Sequence, residues 1–323
     1  MFLGIEIGGT KLQLGVSSGD GLEFAAFRRV DVIATRGAAG IREQIADAAR
    51  ELIREHGVRR IGIGFGGPVD ASRGVTTKSH QIDGWDDFPL VAWCQQTLRV
   101  PTVIGNDCDV ATLAEARFGA ARGKQSVFYV TVGTGVGGGC VIDGRLLGHG
   151  RPAVAEIGHL RPGLDAVDAR QTVESIASGR GIAATARQLL ARGLPTDATA
   201  TAELLSVCGG DAEQLTALMI AEAARGGNAI ALRALDRAVQ TLGWALAQVI
   251  TLVAPQVIVV GGGVSLIGDE LFFAPLRAAT ARYVFPPLAG SYEILPAQLG
   301  EQVVVYGAIA LAAHAGDDSG CNG

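Results

Sequence analysis

The stretch that most constrains this chain is Tyr129-Val-Thr-Val-Gly-Thr-Gly-Val-Gly-Gly-Gly-Cys-Val-Ile142. Phe128, Val130 and Val132 alternate with Tyr129, Thr131 and Gly133, which is the two-residue period of a strand. Apolar residues resume at Cys140, Val141 and Ile142, so the segment reads as strand, tight glycine turn, strand. Gly133, Gly135, Gly137, Gly138 and Gly139 leave backbone N–H groups uncovered by side chains. Such a turn can approach phosphate oxygens and cradle an anion. Taken alone it could equally be an ordinary glycine-rich hairpin. A second copy separates the two readings: Leu3-Gly-Ile-Glu-Ile-Gly-Gly-Thr-Lys-Leu-Gln-Leu-Gly-Val16 repeats the plan around Gly8-Gly9-Thr10. Two such hairpins imply a duplicated architecture in which each half presents one phosphate loop.

Neither hairpin is a Walker loop, because the chain contains no G-x-x-x-x-G-K-[ST]. Gly133 to Gly138 and Gly62 to Gly67 each match G-x-G-x-x-G, but a dinucleotide fingerprint must open a helix. Here Gly138 leads into a strand and Gly67 into Pro68-Val69-Asp70, so that reading fails.

The chain has 323 residues, 48% hydrophobic and 18% charged, enough for two domains with cores of their own. A net charge of −5 with no basic run argues against nucleic acid as a partner. The opening residues carry no basic segment and enter a strand directly, so no signal peptide is expected. No apolar run reaches the roughly 18 residues of a spanning helix, so no membrane partner is expected either. Cys94, Cys108, Cys140, Cys208 and Cys321 are scattered without a C-x-x-C pair, the usage of reduced and mostly buried thiols. These features together point to a cytoplasmic enzyme.

In chain order, residues 2–7, 11–17 and 23–30 read as three antiparallel strands. Ile41, Ile45, Ala48, Leu52 and Ile53 recur at helical spacing, and Gly57 stops that helix. Arg60 to Phe65 is a strand ending in Gly66-Gly67-Pro68, at the strand edge where α/β folds bind ligands. A helix over 88–98 and a strand over 101–104 lead into Gly105-Asn106-Asp107 and a further helix. After the second hairpin, 143–170 reads as irregular and 171–253 as largely helical, with Leu235, Val239, Leu242, Leu246, Val249 and Val253 on one face. Val257 to Val260 is a buried strand before Gly261-Gly262-Gly263; a helix follows near 268–281 and a last one over 303–314. The class is α/β, duplicated, with a cleft between the halves.

These motifs resemble the ROK family of sugar kinases. Gly4-Ile-Glu-Ile-Gly-Gly-Thr-Lys11 is similar to its first phosphate motif and Gly133-Thr-Gly-Val-Gly-Gly-Gly139 to its second. Gly64-Phe-Gly-Gly-Pro-Val-Asp70 resembles its sugar-side turn, Asn106-Asp107 its catalytic pair, Glu156-Ile-Gly-His159 its E-x-G-H sugar motif, and Val260-Gly-Gly-Gly263 its adenosine motif. Glu174, ahead of Ala177-Ser178-Gly179, falls where the family has a further sugar-binding glutamate.

The resemblance implies the actin-like, hexokinase-type, ribonuclease H-like ATPase fold. It implies a small N-terminal domain over 1–117 joined by the helix near 303–315, a large domain over 118–302, an interdomain cleft and a frayed tail over 316–323. It implies ATP and Mg²⁺ as cofactors, a hexose or N-acetylhexosamine as substrate with glucose the simplest choice, and a homodimer. Asp107 would be the general base. Gly67, Asn106, Glu156, His159 and Glu174 would bind sugar. Gly8, Gly9, Thr10, Lys11, Gly133, Thr134, Gly135, Gly137, Gly138, Gly262 and Gly263 would bind the nucleotide.

The chain departs from the family pattern at three places. Glu6 stands where aspartate is commoner, which bears on Mg²⁺. Gln81-Ile82 replaces Asn-Leu near the sugar. The cysteines that follow the E-x-G-H histidine and bind zinc in many relatives are missing, since Arg161 to Gly179 contains no cysteine, so no structural zinc is expected.

A hexose presents a ring of hydroxyls, and carboxylates, amides and imidazoles are the groups that match it. Each residue also has a plainer role available. Asp107 could be a helix N-cap, Lys11 a solvated strand lysine, Glu156 and Glu174 solvated loop residues, and His159 a core histidine. A sugar-sensing regulator of the same family is the alternative function. It is disfavoured because the first motif begins at Gly4, which leaves no room for a helix-turn-helix ahead of it.

Overall fold

The computed structural model describes residues 1–77, 82–148, 151, 153–193 and 198–315. Gln81 and the tail over 316–323 lie outside them. Contacts divide the chain into two compact units, Met1–Tyr129 with Gly139–Ala155 and Ala297–Gly323, and Val130–Gly138 with Glu156–Pro296. Beside 1–117 and the last helix, which the resemblance placed together, the first unit also takes in the stretches 118–129 and 139–155.

The first sheet is built from β1 (Phe2–Ile7), β2 (Lys11–Ser17), β3 (Ala26–Asp31), β4 (Arg60–Phe65) and β7 (Thr102–Asn106), in the order β3-β2-β1-β4-β7. The β1–β2 and β2–β3 pairs are antiparallel, whereas β4 lies parallel to both β1 and β7. β5 (Val69–Asp70) and β6 (Val75–Thr76) form a small separate ribbon. The second sheet contains β8 (Ser126–Val132), β9 (Val136–Ile142), β10 (Arg145–Leu146), β11 (Val257–Gly261) and β12 (Glu293–Pro296), in the order β10-β9-β8-β11-β12. Numbered within each sheet, both orders are third, second, first, fourth, fifth, which is the duplication the paired hairpins implied. Two of these strands are unexpected. β10 falls in a stretch expected to be irregular, and β12 carries a proline and spans only four residues.

Helix α1 (Gly37–His56) buries Ile41, Ile45, Ala49 and Leu52, and it ends where Gly57 adopts a left-handed φ of 59°. Helices α2 (Leu90–Leu98) and α3 (Asp107–Phe118) complete the run before the second hairpin. The last helix, α10 (Val303–His314), belongs to the first unit and lies close against its sheet. A Cβ on Gly62 would run into the Ala308 carbonyl, and one on Gly4 would come 2.5 Å from the Val305 oxygen. The G-x-G of β4 therefore serves helix-on-sheet packing. Glu115, fully buried in α3, fixes the approach to α10: its Oε1 accepts from the Gln298 and Leu299 amides at 2.9 and 3.0 Å, and its Oε2 accepts from Ala120 at 2.8 Å.

In the second unit, α4 (Val173–Ala177), α5 (Gly179–Arg192), α6 (Ala198–Val207), α7 (Ala217–Arg225) and α8 (Ala229–Val253) form a helical layer. α8 presents Leu235, Val239, Leu242, Leu246 and Val249 inward, as its periodicity predicts, and Val253 at its end is partly exposed. A π-helical turn, Asp269–Phe273, leads into α9 (Ala274–Tyr283). Gly243 lets α8 and α9 cross closely, since a Cβ there would sit 2.6 Å from Ala279 Cβ. No helix among the described residues is long and apolar enough to cross a membrane.

Candidate active site

The first hairpin turns over Gly8-Gly9-Thr10, with the Gly8 amide donating to the Lys11 carbonyl at 3.1 Å. Its flanking polar side chains are tied to one another. Gln13 Nε2 donates to Glu6 Oε2 at 2.8 Å and reaches the Glu301 carbonyl at 3.2 Å. Lys11 Nζ lies 3.5 Å from Glu6 Oε1 and donates to the same carbonyl at 3.3 Å. Lys11 is thus half-buried within a network rather than solvated. Burial pushes the Glu6 carboxyl up to about 7 against the pull of Lys11, and the neighbouring Asp107 charge adds to the rise.

Asn106 ends β7 and caps α3: its Oδ1 accepts from the Cys108 amide at 2.8 Å, and its Nδ2 donates to the Gly67 carbonyl at 3.0 Å. The cap role open to Asp107 belongs to Asn106, one residue earlier. Asp107 is the first helical residue, half-buried, and its Oδ1 accepts from the Cys108 amide at 2.8 Å. Its Oδ2 lies 3.8 Å from where a Cβ on Gly66 would stand, at the turn that also meets Gly8. Burial raises its carboxyl above the ordinary aspartate range, and the hydrogen bonds from Cys108 and Asn106 oppose that rise without cancelling it. The helix terminus alone would have favoured the ionised form; desolvation outweighs it. A carboxylate held this way is a stronger base than a solvated one.

The second hairpin turns over Gly133-Thr134-Gly135, with the Gly133 amide donating to the Gly135 carbonyl at 2.9 Å. Gly137 and Gly138 lie within β9 rather than in the turn, because pairing resumes at Val136. Two groups brace the turn. Glu174 on α4 accepts from the Val136 amide at 2.9 Å through Oε2. The Gly179 amide, at the start of α5, donates to the Gly133 carbonyl at 2.8 Å. Glu156 precedes a 3-10 turn, Ile157–His159, in which Gly158 sits where any Cβ would strike the Val136 carbonyl. The glycine of E-x-G-H therefore brings this turn onto β9. His159 is exposed rather than a core histidine.

The following loop is held by hydrogen bonds. Val173 donates to Leu160 at 2.8 Å, Arg161 reaches the Val167 carbonyl at 3.1 Å, Arg170 pairs with Asp168 at 2.9 Å, and Thr172 and Ser175 form a reciprocal cap on α4.

Beside the second hairpin opens a cavity of about 890 Å³, whose lining includes Gly133, Thr134, Gly179, Leu215, Leu218, Gly263 and Ile267. Gly262 and Gly263 play different parts there. Gly262 has a φ of 87° and would place a Cβ 2.5 Å from the Val132 carbonyl oxygen, so it is a close-approach glycine; Gly263 faces open space in the cavity. Sequence reading did not single out Arg180, Arg187 or Arg225, which also line this cavity. Their place depends on how α5 and α7 pack, and no short motif contains them. The expected nucleotide residues Gly133, Thr134 and Gly263 meet at this cavity, and Glu156, His159 and Glu174 belong to the same unit. Gly8 to Lys11, Gly67, Asn106 and Asp107 belong to the first unit.

A ROK family model matches residues 2–315. The chain is 31% identical to the glucokinase of Thermotoga maritima over 314 residues, 96% of each chain. It is 33% identical to a ROK family glucokinase from Streptomyces griseus solved with glucose and AMPPNP, with a TM-score of 0.76 over 97% of this chain and 99% of that one. A ROK hexokinase from Thermus thermophilus is 29% identical, with a TM-score of 0.79 over 98% and 99%. The doubled sheet order is accordingly the actin-like, hexokinase-type fold, and the chain belongs to the ROK family.

Proposed function

We propose that this sugar kinase transfers the γ-phosphoryl group of ATP to the 6-hydroxyl of glucose, with Asp107 as the general base. The observation that carries the reading is the Asp107 carboxylate, half-buried at the start of α3 beside the Gly66 turn and raised in basicity by that burial. Phosphoryl transfer asks mainly for positioning and charge stabilisation, plus one group to accept the hydroxyl proton. The hydroxyl proton passes to Asp107, the sugar oxygen bonds to the γ-phosphorus, and the bond from that phosphorus to the β-phosphate oxygen breaks to release ADP.

Asn106, Glu156, His159 and Glu174, with the Gly67 carbonyl, supply the donors and acceptors for the sugar hydroxyls. Gly8, Gly9, Thr10, Gly133, Thr134, Gly135 and Gly263 supply open backbone and hydroxyls for the nucleotide. The glucose and AMPPNP bound by the Streptomyces griseus relative support these two ligand classes.

Among the described residues no group of three or more histidine, cysteine, aspartate or glutamate side chains could hold a metal ion. Glu6, a carboxylate whose charge interacts with that of Asp107, is the protein group that would face Mg²⁺ carried in on the nucleotide phosphates. When bound, the cation neutralises charge on the transferring phosphates. A coupled ATP-consumption screen over hexoses and N-acetylhexosamines tests the proposal. Glucose should give the highest kcat/KM; turnover confined to an N-acetylhexosamine would move the substrate assignment, and no turnover with any sugar would overturn the kinase reading.

A further inference from the structure

We infer that Arg180 binds the phosphate chain of the nucleotide donor and is the side-chain cation of that subsite. The inference rests on the donor site proposed above. Three arginines line the cavity beside the second hairpin. Two of them are engaged: Arg187 lies 3.5 Å from a Glu213 carboxylate oxygen, and Arg225 donates to the Ile267 carbonyl at 3.1 Å. The Arg180 side chain is exposed and makes no hydrogen bond or ion pair with another described residue. Lys11, the cation expected from sequence to meet phosphate, is held by Glu6 and the Glu301 carbonyl.

The location of Arg180 is electrostatically unfavourable for a cation. It is the second residue of the 14-residue helix α5, whose first turn carries no acidic side chain. A helix N-terminus bears partial positive charge and favours anions over cations. The same terminus is fixed to the glycine turn by the 2.8 Å bond from the Gly179 amide to the Gly133 carbonyl. An unpaired guanidinium and a helix N-terminus thus adjoin the Gly133-Thr134 turn in one open cavity. A polyphosphate there would neutralise both and offer the paired oxygens that a guanidinium fork matches. Adenosine carries no phosphate for Arg180 to bind, and Leu215, Leu218 and Ile267 give the same cavity an apolar wall that suits a base.

The test is calorimetric titration of adenosine, ADP and Mg·ATP into the wild type, Arg180→Ala and Arg180→Lys, with melting temperatures recorded for each. Loss of a charge-assisted hydrogen bond predicts that Arg180→Ala weakens ATP roughly ten- to a hundred-fold, with ADP weakened as well. Adenosine affinity and the KM for sugar should stay at wild-type values, and Arg180→Lys should recover part of the loss. Unchanged ATP affinity in Arg180→Ala would overturn the inference, as would an equal loss for adenosine, which would make Arg180 part of the base pocket. A wild type that binds ATP with this Arg180 dependence yet phosphorylates no sugar would sink the kinase reading and leave the inference standing. A wild type that binds no ATP would sink both.

Discussion

In the first hairpin the strands β1 and β2 close on a turn flanked by three paired polar side chains. Glu6, Lys11 and Gln13 bind one another and the Glu301 carbonyl, and α10 lies on the sheet behind them where Gly4 and Gly62 leave room. In the second hairpin the strands β8 and β9 close on an equally glycine-rich turn, but the space beside it is open. Glu174 and the Gly179 amide brace that turn, and beside it opens a cavity lined also by Arg180, whose side chain has no partner among the described residues. One local motif therefore sits either within a paired polar network or beside an open cavity. What packs behind the turn makes the difference, not the glycines within it.

If the chemistry belongs to the first region, Asp107→Asn should lower turnover by about a hundred-fold or more. Titrations of ATP and glucose should meanwhile match the wild type. A variant that keeps more than about a tenth of wild-type turnover would remove Asp107 from the role of base.

The two regions should also answer differently to a single added methyl group. Gly62→Ala forces a Cβ into the Ala308 carbonyl and should cost about 3 kcal/mol of stability, read as a lower denaturant midpoint. Gly133→Ala meets no atom within 4 Å and should leave the midpoint where it is while raising the KM for ATP. Equal destabilisation by the two would show that the second turn is as tightly packed as the first.

The buried network of the first region should make stability depend on pH. Glu6 titrates near 7 when folded and near 4.5 when unfolded. Because the folded value is the higher one, its stabilising contribution is complete below about pH 4.5 and is lost as pH rises through 7, by at most about 3 kcal/mol. Glu6→Gln should flatten that loss, so its melting temperature should gain on the wild type between pH 5 and pH 8. Parallel curves for the two proteins would show that Glu6 is not held neutral. In the wild type, the acid limb of kcat should lie above the ordinary aspartate value of about 3.9, because burial raises Asp107 as well.

The smallest effect is expected in the second region, where His159 is exposed and the loop after it is closed by hydrogen bonds rather than cysteines. Prolonged treatment with a zinc chelator, followed by dialysis into Mg²⁺, should leave melting temperature and sugar affinity unchanged. About one zinc per chain by elemental analysis would force a search for other ligands.

The turns, most strands and the start of α3 were legible in the sequence because their causes are local. Alternating apolar residues, Gly57 at a left-handed φ, and Asn106-Asp107 at a strand-to-helix junction each act within a few residues. β10 and β12 escaped because two to four residues, one of them a proline at the end of β12, carry little periodicity; partner strands make them strands. At Asn106 and Asp107 the residue types were evident, but only the backbone geometry showed that Asn106 is the cap and Asp107 the first helical residue.

By itself the sequence determined that this chain folds as a duplicated α/β protein, and its motifs identified the sugar kinases it resembles. Tertiary structure alone decided that 118–129 falls with the first unit, that Gly62 serves packing, that Lys11 is engaged and that the Arg180 side chain has no partner among the described residues. The bond from the Leu299 amide to Glu115 joins residues 184 apart, and that from the Val136 amide to Glu174 joins residues 38 apart. Glycine turns and strand periods follow from the conformational limits of neighbouring residues. Which side chains are paired, buried or left facing a cavity depends on segments brought together only when the chain is folded.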